Sequence, residues 1–451
     1  MKDFLYILKE YINTKDDCIY LVGGTVRDIK AGRNISDYDF AVCKNFDNAA
    51  NYFASKVKGS YVKMHEDTSR VVKDGVIFDF SKLKGNTIHE DLRKRDFTID
   101  SMAIDLRDKS FIDDTGGLND LMNKKIRVTY DEAFKDDGAR ILRAFRLYAV
   151  LGFEIDLNTL KLIKINAPML SLIPGERMLS EIIKIFESKR AYDTLSLMDK
   201  EGVLKIIFPQ VEPLKKVGKC KYHVVDAFTH SMLVLKFAEE GMKYIYDSKW
   251  GEEIKSHFEE KINGEKRIAI FKMGCFFHDI GKPKAYKNEN GKVSFKLHEV
   301  YGKDVFSEIS TRLSMPNHMT KIIKSIIGGH MRVLGFYKQN SSESAYYRFF
   351  KDYKENSIDV VLCSLFDITA TRSLLDDNGE RKKYFEFILE IIDKYYSKFV
   401  RDSIIDGRDV IEYTGAKDKK VGEILDKVEE MYFCGKIKNK GEAIEFLKRY
   451  K

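Results

Sequence analysis

The stretch Leu21-Val22-Gly23-Gly24-Thr25-Val26-Arg27-Asp28, with Ser36-Asp37-Tyr38-Asp39-Phe40 behind it, decides how this chain is read. A short apolar run over residues 18–22 ends on two glycines, the pattern of a strand turning tightly into a helix. Glycines at such a turn let the backbone come close to a ligand. The helix they open offers free N–H groups and the positive end of its dipole, a ready phosphate site. Arg27 adds a charged donor there. Residues 38–42 alternate like a half-buried strand, so Asp37 and Asp39, two apart, share one face. Carboxylates so placed repel each other unless a divalent cation lies between them, and oxygen ligands of this kind suit Mg²⁺. Asp79, on a strand expected at 76–80, is a third candidate for the set.

Working outward, residues 70–73 and 76–80 flank Asp74-Gly75, a strong hairpin signal. Thr87-Ile88-His89-Glu90 has capping-box spacing and should start a helix, and residues 101–106 form a further strand candidate. Residues 1–128 therefore read as a small mixed sheet with helices. From about 130 onward the pattern is helical. Ile141, Leu142, Phe145, Tyr148 and Ala149 make an apolar stripe that stops at Gly152, and residues 176–188 and 190–200 repeat the habit. A loop-like stretch, 211–221, precedes a block holding seven of the nine histidines, from His223 to His330. The end of the chain, from about 376, is helical and rich in lysine.

The chain has 451 residues, about three domains' worth at ~150 each. With 44% hydrophobic and 33% charged residues it is not an intrinsically disordered protein. No apolar run approaches the ~20 residues of a membrane span, and the N-terminal residues read as an amphipathic helix, not a signal peptide. Six cysteines without a CxxC pair argue against a disulfide framework or zinc finger and for a reducing, cytoplasmic setting. A net charge of +8 permits a polyanionic partner such as RNA.

Further segments carry a resemblance. Arg95-Asp96-Phe97-Thr98-Ile99-Asp100-Ser101-Met102-Ala103 is similar to an RRDFTINAMA segment, with Lys94 for its first arginine and Asp100 for its asparagine. Phe111-Ile112-Asp113-Asp114-Thr115-Gly116-Gly117-Leu118 is similar to FxDPxGG, and Asp136-Asp137-Gly138-Ala139-Arg140 to EDxxR. Glu176-Arg177 with Glu181, and the stretch Gly435 to Lys440, extend the match. Together with the Gly-Gly and DxD segments, these resemble the class II nucleotidyltransferases, the bacterial CCA-adding enzymes and their poly(A) polymerase relatives.

The resemblance implies Mg²⁺ held by Asp37 and Asp39, with Asp79 as a possible third carboxylate. It implies nucleotide contacts from Gly23, Gly24, Arg27, Asp28, Arg95 and Asp96. Asp137 and Arg140 lie three apart on an expected helix; alone they read as an ordinary surface salt bridge, and by resemblance they read the base edge and choose CTP and ATP. Arg143 and Arg146, further along, would face the triphosphate or the RNA backbone.

A second constellation comprises His230, the adjacent pair His278-Asp279 and the distant Asp367, with His298 and His330 as additional candidates. It resembles the HD phosphohydrolases, and imidazole with carboxylate suits a divalent transition metal. The implied fold class is α+β: a nucleotidyltransferase head (1–128), then an all-α neck (129–215), an HD-type region (216–375) and an RNA-binding tail (376–451). The implied partners are tRNA, CTP and ATP, with no membrane. The implied reactions are CCA addition or, alternatively, A-addition, poly(A) synthesis, or chiefly phosphohydrolysis. Residues 57–74 are the candidate for a flexible loop that sets that specificity.

Overall fold

The decisive glycines and aspartates lie in a seven-stranded sheet of a computed structural model that describes residues 2–35, 37–218, 224–290, 292–375 and 378–450. Ser36, Cys220, Lys221, His223 and the expected boundary residue Asp376 fall outside the described residues. The strands are β1 (Ile19–Val22), β2 (Asp37–Val42), β3 (Ser60–His65), β4 (Thr68–Lys73), β5 (Val76–Lys82), β6 (Ala103–Asp105) and β7 (Phe111–Ile112), in the order β3-β4-β5-β2-β1-β6-β7. Only β2 and β5 run parallel; their neighbours are antiparallel.

One face of this sheet is aromatic. Phe40 and Phe80 stack at 4.9 Å between ring centroids, Tyr38 and Phe78 at 5.1 Å, and Phe53 of the helix Phe46–Val57 lies on Phe78. Removing one such buried ring costs about 3–5 kcal/mol. Side chains alternate across a strand, so burying Tyr38, Phe40, Phe78 and Phe80 on one face commits Asp37, Asp39 and Asp79 to the other. The hydrophobic core thereby sets the direction of the acids.

Asp74 and Gly75, both at positive φ (50° and 79°), make the tight turn between β4 and β5. The stretch 57–74, expected to be a loop, is instead strands β3 and β4, because their backbone groups extend the sheet edge beyond β5. A second correction concerns cysteine. Cys18 and Cys43, just outside β1 and β2, have Cα atoms 5.4 Å apart and are joined to each other, because the β1–β2 pairing carries their backbones together. The N-terminal helix Lys2–Lys15 buries Leu8, Tyr11 and Ile12. The helix Ala139–Leu151 ends, as its stripe foretold, on Gly152 at φ 74°.

The chain divides into two compact units, Met1–Glu181 with Leu197–Ile207, and Ile182–Ser196 with Phe208–Lys451. Among its described residues the second is helical apart from two short strand pairs. Its centre is the helix Arg267–Phe277, buried along its whole length among Ala227–Tyr246, Asn317–Gln339 and Ser357–Ser373. Toward its C-terminal end, Val410, Ile424, Val428, Ala443 and Leu447 form a small core of their own. The expected loop at 211–221 is, where described, a 3₁₀ turn of helix over Pro209–Lys216 with Pro209 in its first turn. No helix among the described residues is long and apolar enough to cross a membrane.

Candidate active site and a second metal centre

At the turn after β1, Gly23 has φ 68° and ψ −142°, a conformation open to glycine and strained for other residues. A Cβ there would lie 3.2 Å from Arg95 Nη1 and 3.5 Å from Asp39 Oδ2. Its bare backbone therefore borders both groups. Thr25 Oγ1 donates to the Asp37 carbonyl (3.2 Å) and accepts from the Asp39 N–H (2.9 Å), clipping the first helical turn to β2.

Asp39 stands in register with Asp79 on β5, and Asp79 with Arg70 on β4, one row across the open face. The row is not uniform. Arg70 donates to both oxygens of Asp79, at 2.8 Å each. No donor among the described residues hydrogen-bonds to the carboxylate of Asp39. Burial pushes Asp39 up to about 6, against the pull of Arg95 and with a further push from Asp79. A half-buried carboxylate without a hydrogen-bond donor, beside the exposed Asp37, fits a divalent cation. Asp79 fits less well, since its charge is already met. Arg70 had a signal in the sequence: a two-residue turn at 74–75 pairs residue 73 with 76, and hence 70 with 79.

The remaining arginines are largely paired. Arg27 forks onto Asp28 (3.0 and 2.9 Å) and bonds Asp100 through Nη1 at 2.6 Å. Arg95 Nε reaches Asp91 at 2.8 Å. Arg143 and Arg146, expected to face the triphosphate or the RNA backbone, have acidic partners: Arg143 pairs with Asp96 (2.9 Å) and Asp100 (3.7 Å) while lining the cavity described below, and Arg146 pairs with Glu181 (2.5 Å). Three arginines stacked along one helix repel, and acidic partners relieve that cost within the unit itself. Asp113 is structural: it accepts from the N–H groups of Thr115, Gly117 and Leu118 and caps the Gly-Gly turn.

Asp137 and Arg140 line a cavity of about 280 Å³ with Arg95, Asp96, Lys82 and Arg177. Burial works to raise Asp137, but Arg177, the Ala139 N–H and Arg140 outweigh it and hold it below the usual carboxylate range. Asp39 feels the charges of Arg95, Arg143 and Asp100, which line the same cavity. Asp39 is therefore linked electrostatically to residues of the cavity that holds Asp137 and Arg140.

In the helical unit, His230, His278 and Asp367 bring ligand atoms within 4.8 Å of one another, and so do His278, Asp279 and His330. Nδ1 of His278, His298 and His330 lies 2.8–2.9 Å from the carbonyl three residues earlier, which turns each Nε2 lone pair inward. Among the described residues the buried His278 Nε2 makes no well-aligned hydrogen bond. Asp279 stands between the two groups, with Oδ1 3.2 Å from His298 and Oδ2 3.2 Å from His278 and 2.5 Å from Lys282 Nζ. Inward nitrogen lone pairs around buried carboxylates fit a divalent cation. The centre opens onto a cavity of about 810 Å³ whose wall includes Phe295, Leu297, Met331 and Leu334. His298 and His330, additional candidates in the sequence, belong to this cluster, where their Nε2 atoms are 3.3 Å apart. Lys282, directly after Ile280-Gly281, is a member that the sequence reading missed.

Three family models match the chain: the poly A polymerase head domain over residues 19–127, the probable RNA and SrmB-binding site of polymerase A over 152–215, and the HD domain over 227–372. A CC-adding tRNA nucleotidyltransferase of Geobacter sulfurreducens is 36% identical over 42% of this chain, and the chain spans 45% of that relative's length. An A-adding tRNA nucleotidyltransferase of Deinococcus radiodurans is 24% identical over 95% of each chain. The solved CCA-adding enzyme of Thermotoga maritima in complex with tRNA has the same fold, with a TM-score of 0.64 at 23% identity over 99% of this chain and 95% of that one. Both metal-competent centres lie inside matched regions, so two lines of observation converge. The chain carries a poly A polymerase head domain, the RNA-binding region of that polymerase and an HD domain, in that order.

Proposed function

We propose that this protein adds CMP and AMP from CTP and ATP to the 3′ end of tRNA without a nucleic-acid template. The observation that carries this reading is that Asp39 feels the charges of Arg95, Arg143 and Asp100, which line the cavity holding Asp137 and Arg140. Mg²⁺ bound by Asp37 and Asp39 would lower the pKa of the RNA 3′-hydroxyl and offset charge at the α-phosphate. The residues do the rest. The backbone at Gly23 and Gly24 lets a triphosphate approach, and Arg95 supplies positive charge beside it. Cytosine and adenine both offer an exocyclic amine where uracil and guanine offer a carbonyl, so an ionised Asp137 accepts from the first two and repels the others. Arg140 donates to the neighbouring ring nitrogen. Each wrong base forfeits about 1–3 kcal/mol.

In this reading residues 1–128 are the catalytic head, 129–215 the neck, 216–375 the HD region and 376–451 an RNA-binding tail. A cytoplasmic location goes with the tRNA substrate. Labelled tRNA lacking its 3′ end should take up both CTP and ATP in the presence of Mg²⁺. Uptake of ATP alone, only after a CC end, would make this an A-adding enzyme. CTP alone would make it CC-adding, and a long adenylate run a poly(A) polymerase. A second reading is favoured by the inward-turned His278, His298 and His330: the helical unit is a metal-dependent phosphohydrolase in its own right, with a divalent transition metal as its ion. Hydrolysis of a nucleoside 2′,3′-cyclic phosphate or a simple phosphomonoester, lost with His278→Ala and Asp279→Ala, tests it.

A further inference from the structure

The proposed base-reading pair is held by neighbouring groups, one of which, Arg177, lines the same cavity. Asp137 follows the short helix Ala133–Asp136 in extended conformation, where no helical geometry holds it. Its Oδ1 accepts from the Ala139 N–H at 3.1 Å, and its Oδ2 accepts from Arg177 Nη2 at 2.7 Å. Arg140 Nη1 donates to the Tyr130 hydroxyl oxygen (2.9 Å) and the Ala133 carbonyl (3.3 Å), and Nη2 donates to the Lys94 carbonyl (3.2 Å). The Tyr130 hydroxyl donates its proton to Asp136 Oδ2 at 2.6 Å, which leaves its oxygen an acceptor for Arg140.

The capacity that remains matches a base edge. A guanidinium has five N–H donors and a carboxylate about four lone-pair sites. With these contacts made, Arg140 keeps donors, including Nε–H, and Asp137 keeps one acceptor site on each oxygen. Cytosine and adenine each need a donor to a ring nitrogen and an acceptor for an amine.

We infer that Arg177 and Tyr130 are positioning residues that set nucleotide selectivity by orienting Asp137 and Arg140. The inference rests on the proposed base reading. Arg177 is 53% exposed. An ion pair so exposed adds little to folding, so its 2.7 Å contact matters for where Asp137 points. Without Arg177, Asp137 Oδ2 swings free of the edge it should meet. Without the Tyr130 hydroxyl, Arg140 loses one of its three tethers and its fork tilts. Displacement of a reading group by about 1 Å is enough for roughly hundredfold effects on rate.

The test measures kcat/KM for CTP against UTP and for ATP against GTP in the full-length protein, for wild type, Arg177→Ala, Arg177→Lys, Tyr130→Phe and the control Asp137→Ala, together with melting temperature. Arg177→Ala should lower both selectivity ratios by about 10- to 100-fold. Arg177→Lys should restore part of the loss, because charge returns without the fork. Tyr130→Phe should lower the ratios by about fivefold to tenfold. Melting temperatures should stay near wild type. Ratios unchanged in Arg177→Ala and Tyr130→Phe, while Asp137→Ala collapses them, would overturn the positioning role alone. Ratios unchanged in Asp137→Ala itself would overturn the base reading, and this inference with it. Where Arg177→Ala does not fold, Arg177→Lys and Tyr130→Phe carry the test.

Discussion

The sheet centre and the helical centre collect acidic side chains in opposite ways. Asp37 and Asp39 are two residues apart on one strand, brought to one face by the pleat alone. His230, the adjacent pair His278-Asp279 and Asp367 come from three separate parts of the chain and meet only because the helices that carry or precede them pack. The charge balance differs as well. Burial leaves Asp39 titrating at about 6, without a donor of its own. Burial acts on Asp279 and Asp367 in the same direction, but His278 and Lys282 for the first, and His230 for the second, outweigh it and hold both below the usual carboxylate range. The helical centre compensates its own charge, whereas Asp39 in the sheet has no hydrogen-bond donor among the described residues.

If that contrast is right, the largest effect should come from the centre that cannot compensate itself. Asp37→Ala with Asp39→Ala should lower nucleotide incorporation by about a thousandfold or more, read as labelled CMP and AMP joined to tRNA, while leaving metal content at the histidine centre unchanged. The mirror experiment is next in size. His278→Ala with Asp279→Ala should remove the metal bound by the helical unit and lower phosphoester hydrolysis by at least about a hundredfold, measured by elemental analysis and product release, with transfer kept within about twofold.

Titration sharpens the difference further. A carboxyl raised to about 6 is protonated below that pH, and the proton competes with the cation. The Mg²⁺ concentration for half-maximal transfer should therefore rise by up to about tenfold between pH 6 and pH 5, and level off above pH 7. A flat Mg²⁺ requirement across this range would show that Asp39 is already ionised and paired. The smallest effect should be at Asp79. Its charge is met by Arg70, so Asp79→Asn should lower transfer by less than about tenfold, and should ease the Mg²⁺ requirement by removing a charge that raises Asp39. A loss as large as that of Asp39→Ala would make Asp79 a full member of the cation site.

Much of this molecule is carried by local pattern. The turn at Gly23, the shared face of Asp37 and Asp39, the Asp74-Gly75 hairpin, the Thr87 cap and the stop at Gly152 all follow from short-range rules of backbone sterics, pleat and capping, and each stands in the structure where those rules put it. The family resemblance was legible for the same reason, since its motifs are contiguous. Pairing across the fold was not legible. Only tertiary structure turned Arg143 and Arg146 onto Asp96 and Glu181, joined Cys18 to Cys43, extended residues 60–73 as strands and brought His298 and His330 beside Asp279. The physical reason is range. A periodicity specifies which face a side chain takes, but its electrostatic partner is whatever the packing of distant segments places within about 4 Å, and no local pattern encodes that.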